Sequence, residues 1–414
     1  YDVKKLQGSV NWDGINSMLV CGDDFTKEEL VNLAKETFDA AASLPFYRVI
    51  GVNALTLTNA GAFITTELGY ALAWGNEYLS SLINAGCEPS VVAKKIKFNF
   101  GVGNNYFMEI AKFRAARLLW AKIVDAYQPR CLKTNCKHTV NGICKCAAKM
   151  RVHAETTIFN KTVFDPNVNM LRTQTEAMSA VLGGVNSLTV LPYDVAYKTS
   201  GEFSERIARN QQLLLKEESH FDKVVDPAAG SYYIETLTDK IAEQAWKIFI
   251  DIEENGGYFE AVKSGTVQKT IKTMAASRLK AVSARREILL GTNQFPNFNE
   301  IAEMPQLNIS KHACSSDAKI ETLPPLRAAK EFEDLRFSTQ NAAKRPVAFM
   351  LTIGNLAMRL ARAQFSCNFF ACAGYEVIDN LGFKTVEEGV AAAEKAGADI
   401  IVLCSSDDEY AELA

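Results

Sequence analysis

Between Asp165 and Glu235 the spacing of apolar residues changes repeatedly. Helix-spaced positions run from Leu171 to Leu182, Gly183-Gly184 breaks the pattern, Ser187–Leu191 is extended and apolar, and a second helix-spaced run covers Phe203–Glu218. The same order is present upstream. Thr26 and Glu29 have the spacing of a capping box, opening a helix whose Leu30, Leu33, Ala34 and Phe38 share a face. Arg48–Leu57 is a β-branched apolar run, as expected of a strand buried on both faces of a parallel sheet, and Asn59-Ala60-Gly61 follows as a loop. Thr66–Ala85 is read as a helix and Lys95–Phe100 as a strand. In the helix Tyr106–Val124, residues Phe107, Ile110, Ala111, Ala115, Leu118 and Leu119 form the expected buried stripe, which leaves Glu109, Lys112 and Arg117 for solvent or partners. Val152–Phe159 is the next strand and Asp239–Gly256 a late helical region. This alternation predicts an α/β chain with a (β/α)8 TIM-type barrel over residues 1–300, whole or incomplete at its N-terminus, whose chemistry would sit on loops after the strands.

The pattern changes after Tyr258. Helices over Tyr258–Lys263 and Gln268–Arg286 lead into GTNQFPNFNE and LPPLRAAKEFEDL, so residues 301–344 read as a linker. Alternation restarts at Arg345, with strands at Val347–Leu351, Glu376–Asn380 and Asp399–Leu403. Helices at Leu356–Ala373 and Thr385–Ala396 lie between them, the second opened by Thr385 and Glu388 as a capping box. Residues 345–414 thus predict a partial doubly wound domain.

Composition narrows the class. The 414 residues are 48% hydrophobic and 22% charged, enough to bury a large core, and the net charge of −3 gives no electrostatic reason to expect nucleic acid or an anionic membrane as partner. No apolar run reaches the roughly 18–20 residues that span a bilayer. The N-terminus has no signal pattern, so the expected location is the cytoplasm; the start at Tyr1 rather than Met is read as a sign that residues precede it.

Of the ten cysteines, Cys21, Cys87, Cys314, Cys367, Cys372 and Cys404 stand singly and read as small reduced thiols. Cys131, Cys136, Cys144 and Cys146 differ. With His138 they crowd one polar insert, Arg130–Met150, where four soft ligands around an Asn141-Gly142 turn could close a tetrahedral zinc site. The C-x4-C-x7-C-x-C spacing is not a common paired motif. A loop with free thiols, or a disulfide formed in handling, is the bland alternative.

Longer words identify a family. RTQTEAM, SERIARN and VDPAAGSYYIE, with NYFMEIAKFRAARLLWAKIV upstream, resemble the barrel domain of the methylmalonyl-CoA mutase family, acyl-CoA mutases that use adenosylcobalamin. RPVAFMLTIG, GYEVIDN and TVEEGVAAAEKAGADIIVLCSS resemble that family's flavodoxin-like cobalamin-binding domain, here cut short. The resemblance also implies where catalysis should reside, and there the chain departs. The family's D-x-H-x-x-G motif, whose His is the lower cobalt ligand, falls on Ala357, Arg359 and Arg362; arginine offers cobalt no lone pair. In the strand ending G-Y-H-M-Q-E-A-G-A, the thioester-polarising His becomes Thr56, its Tyr neighbour Leu55 and the Glu becomes Asn59. In T-Q-G-H-T-Q-S-L-H, a Gln becomes Leu182 and the last His becomes Thr189.

Other titratable residues offer no substitute. His138, His153, His220 and His312 read as solvated or core histidines, and Glu202, Glu205, Glu217 and Glu218 as a solvated helix face. Asp226-Pro227 with Gly230 reads as a turn; its counterpart in catalytic relatives approaches the corrin. The resemblance and its departures together imply a non-catalytic small subunit. It would be the structural partner, in a heterodimer, of a large subunit that binds adenosylcobalamin and interconverts methylmalonyl-CoA and succinyl-CoA in propionate metabolism. Two other readings stand beside this one: a cobalamin-dependent acyl-CoA mutase active in its own right on an altered substrate, and a regulatory or metal-binding module using the Cys131–Cys146 loop.

Overall fold

Strand and helix alternate along most of the chain in the computed structural model, which describes residues 2–131, 136–305 and 318–413; His312 and Cys314 lie outside the described residues. The first elements are β1 (Gly8–Trp12), α1 (Gly14–Cys21), α2 (Lys27–Ala40), β2 (Tyr47–Val52), α3 (Leu55–Asn59), α4 (Ile64–Asn84), α5 (Pro89–Lys95), β3 (Ile96–Val102) and α6 (Tyr106–Ala126). A hairpin of β4 (Thr139–Val140) and β5 (Ile143–Cys144) interrupts the series. It resumes with β6 (Val152–Thr156), α7 (Val168–Leu182), β7 (Ser187–Thr189), α8 (Glu202–Leu213), α9 (Tyr232–Glu254), α10 (Tyr258–Lys263) and α11 (Thr266–Ser283). Five strands pair in parallel in the order β1-β2-β3-β6-β7. Among the described residues this sheet is a curled half-barrel; the eight-stranded closure of the expected barrel is not present.

The later part holds α12 (Lys330–Gln340), β8 (Val347–Thr352), α13 (Leu356–Cys372), β9 (Glu376–Ile378), α14 (Val386–Lys395) and β10 (Ile400–Cys404). The last three strands form a parallel sheet in the order β10-β8-β9. Helix α12 lies within the interval read as a linker: Glu333, Arg336 and Phe337 on one side of it are buried, and a tertiary surface there orders a segment whose prolines and charges signal a loop. No helix among the described residues is long and apolar enough to cross a membrane.

The strands have period two. Ile96, Phe98, Phe100 and Val102 of β3 point under the helices, and Phe98 meets Trp120 of α6 edge-on at 4.8 Å. Gly75 lets α4 come this close, because a Cβ there would stand 2.6 Å from the Phe98 ring. The other face carries polar side chains in cross-strand rows: Asn99, His153 and Ser187 in one, Glu155 and Thr189 in the next.

Three sequence readings need correction. The run Arg48–Leu57 is strand only to Val52, after which the chain turns into α3. Cys21 is disulfide-bonded rather than a free thiol. On α6 the expected stripe is partly reversed: Phe107 is 50% and Leu118 45% exposed, whereas Glu109 is 2% and Lys112 0% exposed. The cause is a buried ion triad. Lys112 Nζ lies 2.7 Å from Glu67 Oε2 and 2.6 Å from Glu109 Oε2, and donates to the Gly101 carbonyl at 2.6 Å. The Gly101 and Gly103 N–H groups donate to Glu67 and Glu109, both at 2.9 Å. Helices α4 and α6 are thereby fastened to the end of β3. Removing one partner of a buried pair leaves uncompensated charge, at a cost of about 3–5 kcal/mol. Lys112→Met is expected to destabilise the chain by about that amount in urea unfolding. Adding Glu67→Gln and Glu109→Gln should recover a large part of it; a single variant as stable as wild type would contradict this account.

Candidate functional site

Loops after β2, β3 and β6 enclose a cleft of about 630 Å³. Its walls include Thr58, Phe63, Asn105, Glu109, Phe159 and Arg278. This is the strand end at which parallel sheets of this kind carry their sites. Arg278 reaches over from α11, its guanidinium 3.8 Å from the centre of the Phe159 ring and its Nη2 2.9 Å from Glu287 Oε1. Thr58 Oγ1 is buried without a hydrogen-bond partner. Below the cleft, Lys161 Nζ donates to both Glu176 oxygens at 2.9 Å, and both side chains are fully buried. Burial pushes Lys161 down and Glu176 up from their ordinary values. That pair holds the loop after β6 in place.

Burial raises Glu109 to about 7, against the pull of Lys112 and the Gly103 N–H. Burial likewise raises Asp13 to about 7. The Asp13 carboxylate accepts from Asn16 N, Asn53 N, Asn53 Nδ2, Trp74 Nε1 and Tyr78 Oη at 2.8–3.2 Å, joining the end of β1 to α1, β2 and α4. The cleft therefore offers a guanidinium and a carboxyl able to hold its proton, which suit a polar ligand. It offers no imidazole.

The positions singled out from sequence are not gathered there. Leu55 and Thr56 lie in α3 just past β2, where Thr56 Oγ1 donates to Asn16 Oδ1 at 2.6 Å. Thr189 ends β7 on the polar face, 3.3 Å from His153 Nε2. Leu182 lies at the opposite end: α7 carries the chain back to the strand starts, where Asn186 N donates to the Val152 carbonyl at 2.9 Å. None of the four is among the residues that line the cleft. His153 also meets Ser187 Oγ at 2.8 Å, and burial lowers it to about 4. His138 and His220 are exposed, as are Glu202, Glu205, Glu217 and Glu218. Arg114 pairs with Asp226 at 3.1 Å and Glu235 at 2.9 Å, which pins the Asp226–Gly230 turn to α6. Neither Arg278 nor Lys161 stands in any short motif, so the cleft had no signal in the sequence.

In the second sheet, Ala357, Arg359 and Arg362 occupy the first two turns of α13, behind the N-cap Asn355. Arg359 is committed to backbone: Nη1 donates to the Gly354 carbonyl at 3.1 Å and Nη2 to that of Leu381 at 2.9 Å. Arg362 pairs with Asp407 at 2.6 Å. Residues 345–414 contain no histidine at all. The side chains present do not fit a cobalt ligand set, whatever the register of the match.

The two raised acids set a pH dependence. In the folded chain Glu109 and Asp13 keep their protons up to about 7, whereas unfolded carboxyls lose theirs near 4. The folded state thus binds more protons across that window, and stability falls as pH rises through it. The contribution is fully present below about pH 4 and lost above about pH 7. Glu109→Gln should shrink the decline in urea midpoint across this range, leaving the Asp13 share; an unchanged slope would assign the proton elsewhere.

Comparison with known proteins agrees with the words found in the sequence. Residues 1–363 match the family described as methylmalonyl-CoA mutase. A "methylmalonyl-CoA mutase small subunit" of Porphyromonas gingivalis is 57% identical over the whole chain, which covers 65% of that relative. One of Streptomyces virginiae is 35% identical over 93% of the chain and 59% of its own length. The Porphyromonas gingivalis protein named as the large subunit is 35% identical over 71% of the chain and 39% of its own length. The chain thus spans about two thirds of these small subunits or less. With the match running through the half-barrel and into α13, the chain belongs to the methylmalonyl-CoA mutase family.

Proposed function

We propose that this chain is the larger part of a small, non-catalytic subunit of a heterodimeric methylmalonyl-CoA mutase. It supports a large subunit that binds adenosylcobalamin and interconverts methylmalonyl-CoA and succinyl-CoA in the cytoplasm. In this reading the five-stranded sheet of residues 1–300 is part of a (β/α)8 barrel. The three-stranded sheet of residues 345–414 belongs to a degenerate flavodoxin-like domain, and residues 301–344 join them.

The observation that carries the reading is Arg359. A permanently charged guanidinium, tied to two carbonyls, stands where the resemblance puts the family's cobalt ligand, and no histidine is near it in sequence. Thr56 and Thr189 support it from the half-barrel, since neither can donate as an imidazolium would to a developing negative charge. Similarity to both small and large subunits of one organism supports a paired assembly of related chains.

The purified chain is expected to bind no adenosylcobalamin when titrated and followed by corrin absorption. With its large subunit, cofactor uptake and turnover should appear together. Stoichiometric binding by the chain alone, with the spectrum of a histidine-ligated cobalt, would overturn the proposal.

A further inference from the structure

The insert between α6 and β6 brings four thiols to one place. The sulfurs of Cys131, Cys136 and Cys144 all lie within 4.8 Å of one another, and Cys146 Sγ is 3.9 Å from Cys136 Sγ. We propose that Cys131, Cys136, Cys144 and Cys146 bind a structural zinc ion. Tetrahedral zinc with Zn–S bonds of about 2.3 Å requires sulfurs about 3.8 Å apart, so small side-chain adjustments complete the site.

The backbone builds this convergence. Asn141 and Gly142 both have positive φ, 50° and 79°, which closes the tight turn between β4 and β5. Thr139 pairs with Cys144, and Arg130 bridges Ile143 from the other side, with Cys144 N donating to the Pro129 carbonyl at 2.7 Å. Cys131 is thereby held beside Cys144, while the Cys136 carbonyl accepts from Thr139 N at 3.3 Å. Cys144, Ala147, Ala148 and Met150 belong to the main hydrophobic core, so the site has a rigid floor.

A zinc ion with four thiolates carries two net negative charges. Lys94 Nζ approaches Cys144 Sγ to 3.7 Å, which places a positive charge beside that cluster. All four cysteines are free, and Cys136 neighbours the other three, a geometry that suits one shared ion better than a single disulfide pair. Four protein ligands leave no open coordination position, which marks the ion as structural. Its position agrees: Glu109 at the start of α6 lines the cleft, whereas the insert follows the far end of this 21-residue helix, about 30 Å away at 1.5 Å per residue.

The test uses the full chain and its complex with the large subunit, purified under reducing conditions without a metal-affinity step. Elemental analysis should find about one zinc per chain, and Cys144→Ser with Cys146→Ser should lower it more than tenfold. Cobalt(II) substituted into the wild-type chain should show intense thiolate-to-metal charge-transfer absorption that the double variant lacks. Should the variant fold poorly, the wild type decides: chelation should lower its Tm and expose the Arg130–Met150 segment to protease, and added zinc should reverse both. Reduced wild type that takes up no zinc when offered it, equal zinc in wild type and variant, or a Tm indifferent to chelation would each overturn the proposal.

Discussion

The ammonium of Lys112 is the interaction on which the half-barrel most depends. It lies between the carboxyl groups of Glu67 and Glu109 with no access to water, and the same groups accept the N–H of Gly101 in β3 and of Gly103 just after it. Strand, α4 and α6 are thus joined through one charge. Such a group tolerates little movement, since separating the ions in a low-dielectric interior exposes each to its full desolvation cost. The cleft lies directly over this triad, and Glu109 belongs to both. The rigidity of the cleft floor is therefore a consequence of how the fold is held together.

Core positions and site-facing positions differ in what they tolerate, for the same reason. Residues that fill and fasten the half-barrel, such as Trp74, Phe98, Trp120 and Lys112, are fully buried, and changes there disrupt packing. Thr56, Thr189 and Arg359 occupy strand ends, a sheet face and a helix start, where a different polar side chain finds a new hydrogen-bond partner: Asn16, His153, or the carbonyls of Gly354 and Leu381. Replacement at such positions changes a site without loosening the fold. The arginine at 359 goes further, since it ties the start of α13 to the loop after β9.

The two ends of the half-barrel differ in kind. At the strand ends the loops are polar and leave an open cleft with an unpartnered hydroxyl at Thr58. At the strand starts the insert after α6 closes on itself through a hairpin and buried cysteine. One end holds an open polar cleft and the other a closed connection.

Period and punctuation in the sequence were enough for the alternation of strands and helices, the capping box at Thr26 and Glu29, the helix α7 with its glycine break, and the second parallel sheet, because each is written in local spacing that a short peptide already expresses. What the sequence could not reveal depends on partners far along the chain. Lys112 looked like a solvent-facing lysine until Glu67, 45 residues away, supplied its counter-charge. The lining of the cleft came together from loops more than 200 residues apart, and α12 became a helix against a surface that exists only in the folded chain. Leu182 went to the opposite end of the sheet because a helix returns the chain there, a displacement that spacing does not encode. Hydropathy reports the average environment of a residue type, and only tertiary structure decides which charges meet inside and which apolar groups are left outside.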